Sequence, residues 1–193
     1  MKKTPCLLAL TLASLLVTGI NASAAPIASF NYGGHKYDLY DAFAIPWADA
    51  QTAATAAGGY LATLTTASEN TAVYNGLINN GFFTNMAGPG QGIQAWLGGQ
   101  TADGSGSTTD PNNWVWANGE TWTAFNVGNF AAGEPNGDSS GLAINRFGDD
   151  QYNDEGGFVG GYIVESNVPE GGPTLAMLGS VLVGLGVVRR KMK

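Results

Sequence analysis

Cysteine is nearly absent: of 193 residues only Cys6 is one. It stands in the amino-terminal apolar leader, so the remainder of the chain has no thiol and no disulfide, and packing must hold the fold. No lipobox surrounds the end of that leader, which argues against lipid attachment. Histidine is as scarce. His35 is the single one, and it lies far along the chain from any cluster of acids. Thiol chemistry and His-dependent serine chemistry therefore lack their material, and no nucleophile motif is present. Basic residues are few and misplaced. Lys2, Lys3, Arg189, Arg190, Lys191 and Lys193 sit at the ends. Between residues 26 and 170 only Lys36 and Arg146 face fifteen acids, a net charge of −13. Such a surface repels nucleic acid and anionic lipid and attracts cations. No internal repeat and no EF-hand spacing is present.

Both ends carry export signals. Residues 1–25 have the form of a secretory signal peptide: Lys2 and Lys3, an apolar run from Leu7 to Ile20, then Ala22-Ser23-Ala24 as a cleavage pattern. A membrane anchor is the other reading, and the run is short for one. Near the other end, Pro173 to Val188 is apolar or small, and a basic cluster follows. Its length, at ~1.5 Å per residue, is ~24 Å, short of a ~30 Å hydrocarbon core. Val168-Pro169-Glu170, an apolar stretch and a basic end resemble the PEP-CTERM sorting tails of Gram-negative bacteria, although Gly171 stands where those tails usually carry proline. The resemblance implies processing by an exosortase-type enzyme after transient insertion in the inner membrane, in cells that make exopolysaccharide. A plain single-span anchor stays open. Either way the middle of the chain faces outward, in the cell envelope or beyond it. Domain limits follow: 1–25 signal, 26–167 domain, 168–193 tail. About 140 residues suffice for one domain with a full core.

His35 to Tyr40 reads as an opening strand. Pro46 suits the first turn of a helix, with Trp47, Ala50, Ala54 and Ala57 at helical spacing and Gly58-Gly59 as the stop. Tyr60 to Leu64 is a short apolar strand. Thr66 and Glu69 have capping-box spacing and open a second helix, its buried stripe Ala72, Val73, Leu77 and Ile78. Phe82 to Ile93 gives no clear pattern. Ala95 to Gly98 reads as a buried strand, Thr101 to Asn113 as a loop and Asn113 to Trp116 as a strand. From Glu120 to Asp138 no period is sustained, so a long loop anchored by Trp122, Phe125 and Phe130 is expected. Leu142 to Asn145 and Gly161 to Val164 are the last strands. Helices grouped early and strands late predict an α+β fold.

Two tripeptides carry chemistry. Glu134-Pro135-Asn136 and Tyr152-Asn153-Asp154 each supply carboxylate and carboxamide oxygens, the hard ligands that Ca²⁺ takes. With Trp47-Ala48-Asp49-Ala50, Gly59-Tyr60-Leu61-Ala62-Thr63-Leu64, Glu69-Asn70, Trp96-Leu97-Gly98-Gly99, Trp114-Val115-Trp116 and Gly161-Tyr162-Ile163-Val164-Glu165, they form an ordered set that resembles the C-type lectin-like domains. The match runs from about Tyr37 to Glu165. It implies two helices flanking small antiparallel sheets, a long irregular loop region, a cis bond before Pro135 and a site made by Glu134, Asn136, Asn153 and Asp154. There the same groups would bind Ca²⁺ and carbohydrate, in the Glu-then-Asn order of the mannose-type members. Leu142 stands where a half-cystine is usual, and Tyr152 where Trp is usual. The family's further carboxylate is replaced by Gly137-Asp138-Ser139-Ser140-Gly141, where Asp138 is the candidate substitute. About five ligand oxygens against a preferred 6–8 predict weak affinity, in the ~10⁻⁴–10⁻³ M class.

The expectation is a non-enzymatic, exported, calcium-dependent carbohydrate-binding protein, with exopolysaccharide as a candidate ligand. A structural or adhesive surface protein using the same fold without calcium or sugar is the alternative. Acids are plentiful enough that counting leaves a glycosidase pair open. Asp149, Asp150 and Glu155 read either as a solvated acidic loop or as an auxiliary ion site. Asp103 to Asp110 reads as flexible loop.

Overall fold

Alternation decides which way the strands face. Leu39, Leu97, Leu142, Ile144 and Ile163 enter one buried cluster with Trp114, Trp116 and Tyr152. Their chain neighbours Tyr40, Trp96, Ala143, Tyr162 and Val164 enter a second cluster with Ala50 and Ala54. Successive side chains of a strand point to opposite faces, so one sheet separates two apolar layers. The computed structural model describes residues 25–79, 94–157 and 159–168.

The chain runs β1 (Ala28–Tyr32), β2 (His35–Asp41), α1 (Trp47–Ala56), β3 (Tyr60–Leu61), α2 (Ala67–Asn79), β4 (Ala95–Thr101), β5 (Trp114–Trp116), α3 (Ala124–Gly128), β6 (Gly141–Ile144), β7 (Tyr152–Glu155) and β8 (Gly161–Asn167). The eight strands form one sheet of order β1-β2-β8-β4-β6-β7, with β3 on β8 and β5 on β4. Only the β4–β8 pair is parallel among these pairings. The α+β class is as expected. The expected separate antiparallel sheets are instead one mixed sheet, because β8 joins the two halves by pairing with both β2 and β4.

Four elements differ from expectation. β1 forms a hairpin with β2 through Gly33 and Gly34, whose φ of 61° and 90° suit a tight turn that residues with a Cβ resist. α3 interrupts the expected long loop; Asn126 Oδ1 accepts from Thr123 N–H at 2.9 Å, and Asn126 Nδ2 donates to Leu64 O at 2.6 Å. β7 is a strand, although its residues read as a ligand arm. The apolar segment at Tyr60 pairs for only two residues, after which Ala62 to Leu64 continue buried but irregular.

The helices pack as patterned. In α1, Ala50 and Ala54 are buried and Trp47 Nε1 donates to Leu97 O at 2.8 Å, while Ala57 is exposed beyond the helix end. Thr66 Oγ1 accepts from Glu69 N–H at 3.2 Å. The Glu69 carboxylate accepts from Thr65 N–H, one residue before the cap, and from Tyr37 OH. The side chains of Leu77 and Ile78, the segment Phe82 to Ile93, the leader and the apolar tail lie outside the described residues. Among the described residues no helix is long and apolar enough to cross a membrane.

Candidate functional site

The loop before β6 and the strand β7 meet at one carboxylate. Asp154 is 1 % exposed, and three consecutive main-chain N–H groups converge on it. Asn136 donates to Oδ1 at 2.9 Å; Gly137 and Asp138 donate to Oδ2 at 2.8 and 3.2 Å. Such a run of amides makes a concave anion cradle, and it fixes the first tripeptide onto the second. Asn136 Oδ1 accepts from Asp138 N–H at 3.1 Å, closing a local turn. The Glu134–Pro135 bond is cis, as expected. Glu134 N–H donates to Ala131 O at 2.9 Å, and Ala131 N–H donates to Tyr152 O at 3.0 Å. The two arms are thus joined on both sides of Pro135, by main chain to main chain before it and by main-chain N–H to the Asp154 carboxylate after it.

The Glu134 side chain lies against this cradle. Burial, then a hydrogen bond with Asp154, then the charges of Asp154 and Asp138, push its carboxyl up to about 7. Its Oε2 is buried without a hydrogen-bond partner. Asp138 lies at the exposed rim, and partial desolvation of its carboxyl there, with the charges of Asp154 and Glu155, raises it as well. Two touching carboxyls cannot both stay ionised at low cost. They call for a proton or a cation between them.

Asn153 is set apart. It is 3 % exposed and adjacent to Asp154 in β7, so its side chain takes the other face of the sheet. Its Nδ2 points to Glu155 Oε2 at 3.3 Å and Gln94 Oε1 at 3.4 Å. Glu155 Oε2 also accepts from Gln94 Nε2 and, at 3.0 Å, from Arg146 Nη1, and its Oε1 accepts from Gly156 and Gly157 N–H. The expected four-residue set therefore divides. Glu134, Asn136 and Asp154 come together with Asp138 at the rim, and Asn153 belongs to a neutralised buried cluster. Sequence reading missed Gln94 and Arg146; the lone cation inside an acidic segment was the available signal for Arg146.

The other acidic groups do not converge. Glu155 faces Arg146, whereas Asp150 faces Thr71 and its carbonyl accepts from Asn70 and Asn129. Asp149 accepts from Gln151 N–H at 3.2 Å, and the structure does not group Asp149, Asp150 and Glu155 as one ion site. Asp103 and Asp110 accept from Ser105 and Asn112 N–H, two residues on, as local turns. Among the described residues no three His, Cys, Asp or Glu side chains are grouped to hold a metal ion. Folding also closes the gap between His35 and an acid: Nδ1 lies 2.6 Å from Glu165 Oε1, without hydrogen-bond alignment.

The fit to Ca²⁺ is partial. Glu134 offers an unmatched buried oxygen, and Asp154 retains lone pairs beyond its N–H contacts. Asn136 and Asp138 can add oxygens from the exposed side. That is fewer than the 6–8 oxygens Ca²⁺ prefers, so water would have to complete the shell.

No protein-family model matches the chain, and no curated protein matches it. Solved structures do. Human lithostathine superposes with a TM-score of 0.55 at 16% identity, over 75% of this chain and 100% of its own. The cow C-type carbohydrate-recognition domain of CD23, solved in the presence of GlcNAc2Man3 oligosaccharide, gives 0.51 at 15%, over 76% and 98%. SPL-1, solved as a GlcNAc complex, gives 0.51 at 17%, over 72% and 91%. At these identities the likeness shows the fold, which is the C-type lectin-like one.

Proposed function

We propose that the chain is an exported carbohydrate-binding module, not an enzyme, whose ligand meets the exposed rim of the Glu134–Asp154 site, with Ca²⁺ held weakly there. The observation that carries this reading is the buried, unpartnered Glu134 Oε2 beside a second carboxyl. The similar folds solved as a GlcNAc complex and in the presence of GlcNAc2Man3 oligosaccharide support the ligand class, and the leader and tail motivate export and an exopolysaccharide ligand.

Glu134 and Asp154 would hold the ion, with Asn136 and Asp138 at its exposed side; Asn153 is left out of this shell. When bound, Ca²⁺ supplies open coordination positions for two neighbouring sugar hydroxyls. The Glu134 carboxylate accepts a hydroxyl proton, and the exposed Asn136 amide donates to a hydroxyl oxygen. The cradle around Asp154 keeps both groups in place before any ligand arrives, which lowers the ordering cost of binding.

Melting the full-length chain in Ca²⁺ and in chelator tests the ion. Calcium should raise the midpoint. Glu134→Gln should raise it in chelator, because a like-charge contact is gone, and should abolish the calcium response. An unchanged calcium response in that variant places the ion elsewhere. Glycan binding in both conditions tests the ligand.

One observation favours the adhesive alternative: three main-chain N–H groups already occupy Asp154, so the loop is held without a metal. Absence of both a calcium response and a glycan signal would select it.

A further inference from the structure

Phe147 stands out among the aromatic residues near this site. It is 56% exposed, whereas Trp114, Trp116, Phe130 and Tyr152 are buried. It borders an open hollow of ≈ 250 Å³ lined also by Ala131, Ala132 and Gln151. We propose that this hollow is a second carbohydrate subsite, seating the apolar face of one neutral pyranose ring on the Phe147 ring and its hydroxyls on the Gln151 carboxamide. The proposal rests on the carbohydrate reading above.

The loop that presents Phe147 is tied down on its far side. Tyr74 OH donates to Gly148 O at 2.8 Å, and Asn70 and Asn129 Nδ2 donate to Asp150 O at 2.9 and 3.0 Å. Helix α2 and the segment after α3 thus fix the loop, while its aromatic tip faces water. A fixed exposed ring loses little entropy on contact, the property that makes aromatic side chains good anchors.

The lining selects the occupant. Two methyl groups, one ring and one carboxamide offer no deep aliphatic pocket for a peptide side chain. The volume falls below the roughly 300–1,000 Å³ of sites for drug-sized ligands and suits one ring. Asp149 and Asp150 precede Gln151 and disfavour an anionic sugar. The wall is also continuous with the first site, because Ala131 O accepts the Glu134 N–H. A glycan held at Glu134 and Asn136 can extend over Ala132 to Phe147.

The test titrates the full-length chain, in calcium, with neutral manno-, gluco- and galacto-configured trisaccharides and with trigalacturonate. At least one neutral trisaccharide should bind, with ring protons shifted upfield in NMR by the Phe147 ring current, and trigalacturonate should bind more weakly. Phe147→Ala should weaken that trisaccharide about three- to tenfold and remove the upfield shift. Phe147→Tyr should keep both, which separates stacking from loop damage. If the wild-type chain binds a trisaccharide and Phe147→Ala binds it equally, or binds it less with the upfield shift intact, this subsite falls and the function above stands. If the wild-type chain binds none, both fall.

Discussion

At the scale of single residues, packing has taken the place of covalent links. Leu142, standing where the resemblance places a half-cystine, is fully buried in the cluster with Leu97, Trp116 and Tyr152. Leu142→Ala should cost about 2–5 kcal/mol in urea unfolding, and a cost under half a kilocalorie would show that the position is slack. Tyr152 likewise serves where Trp was usual. Its ring meets Trp116 and Phe130 edge-on at 6.4 and 5.9 Å, and burial pushes its phenol well above the ordinary range. Glu165 is a buried carboxyl whose charge the fold disfavours. Burial raises its carboxyl above 4.5, against the lowering from Thr63 N–H, Tyr60 OH and His35. The folded state then holds a proton that the unfolded chain releases. This stabilisation is full below the ordinary glutamate value and is lost as pH rises through the folded one. The wild-type melting midpoint should therefore fall from this source above about pH 4.5, and Glu165→Gln should flatten that part of the profile. A Glu165→Gln profile parallel to the wild type would assign the slope to other acids.

At the scale of elements, what was legible followed from periodicity. The alanine spacing of α1, the Thr66 start of α2 and the alternation in β2, β4, β6 and β8 were open to reading because each buries an apolar face. What was missed buries polar groups. β7 reads Tyr-Asn-Asp-Glu, yet every one of its residues is buried, and its polar residues read as a ligand arm rather than a strand. Once the segment is a strand, alternation sends neighbours to opposite faces, which is why the Asn153 and Asp154 side chains part. The Asp154 cradle was hidden for a different reason: its donors are main-chain groups, which a sequence does not display. The Gly98-Gly99 pair in β4 was visible, and the structure gives its cause. A Cβ on Gly98 would lie 2.5 Å from the carbonyl oxygen of Leu61, so the β3 segment crosses against bare backbone. Gly98→Ala should cost about 1–3 kcal/mol by overpacking. Wild-type stability in that variant would mean that β3 can retreat without loss.

At the scale of the whole molecule, electrostatics opposes the fold. Fifteen acids against Lys36 and Arg146 between residues 26 and 170 give a surface that repels itself. Arg146 is used at Glu155, and Lys36 bonds Asp38 at 2.9 Å, so neither is free to relieve the rest. Screening shortens the reach of the repulsion to about 10 Å at 0.1 M salt, and sodium chloride should raise the melting midpoint smoothly. A screening effect depends on ionic strength alone. A cation between Glu134 and Asp154 depends on coordination, because those two carboxyls are too close and too buried for distant counter-ions to serve. Calcium, magnesium and sodium chlorides compared at equal ionic strength therefore separate the two. Calcium should give an added rise, saturating in the ~10⁻⁴–10⁻³ M range, that magnesium reproduces poorly because it dehydrates reluctantly and demands strict octahedral geometry. Coincidence of the three curves would mean that the acidic surface alone accounts for every cation effect, and the Glu134–Asp154 contact would then be held by a shared proton.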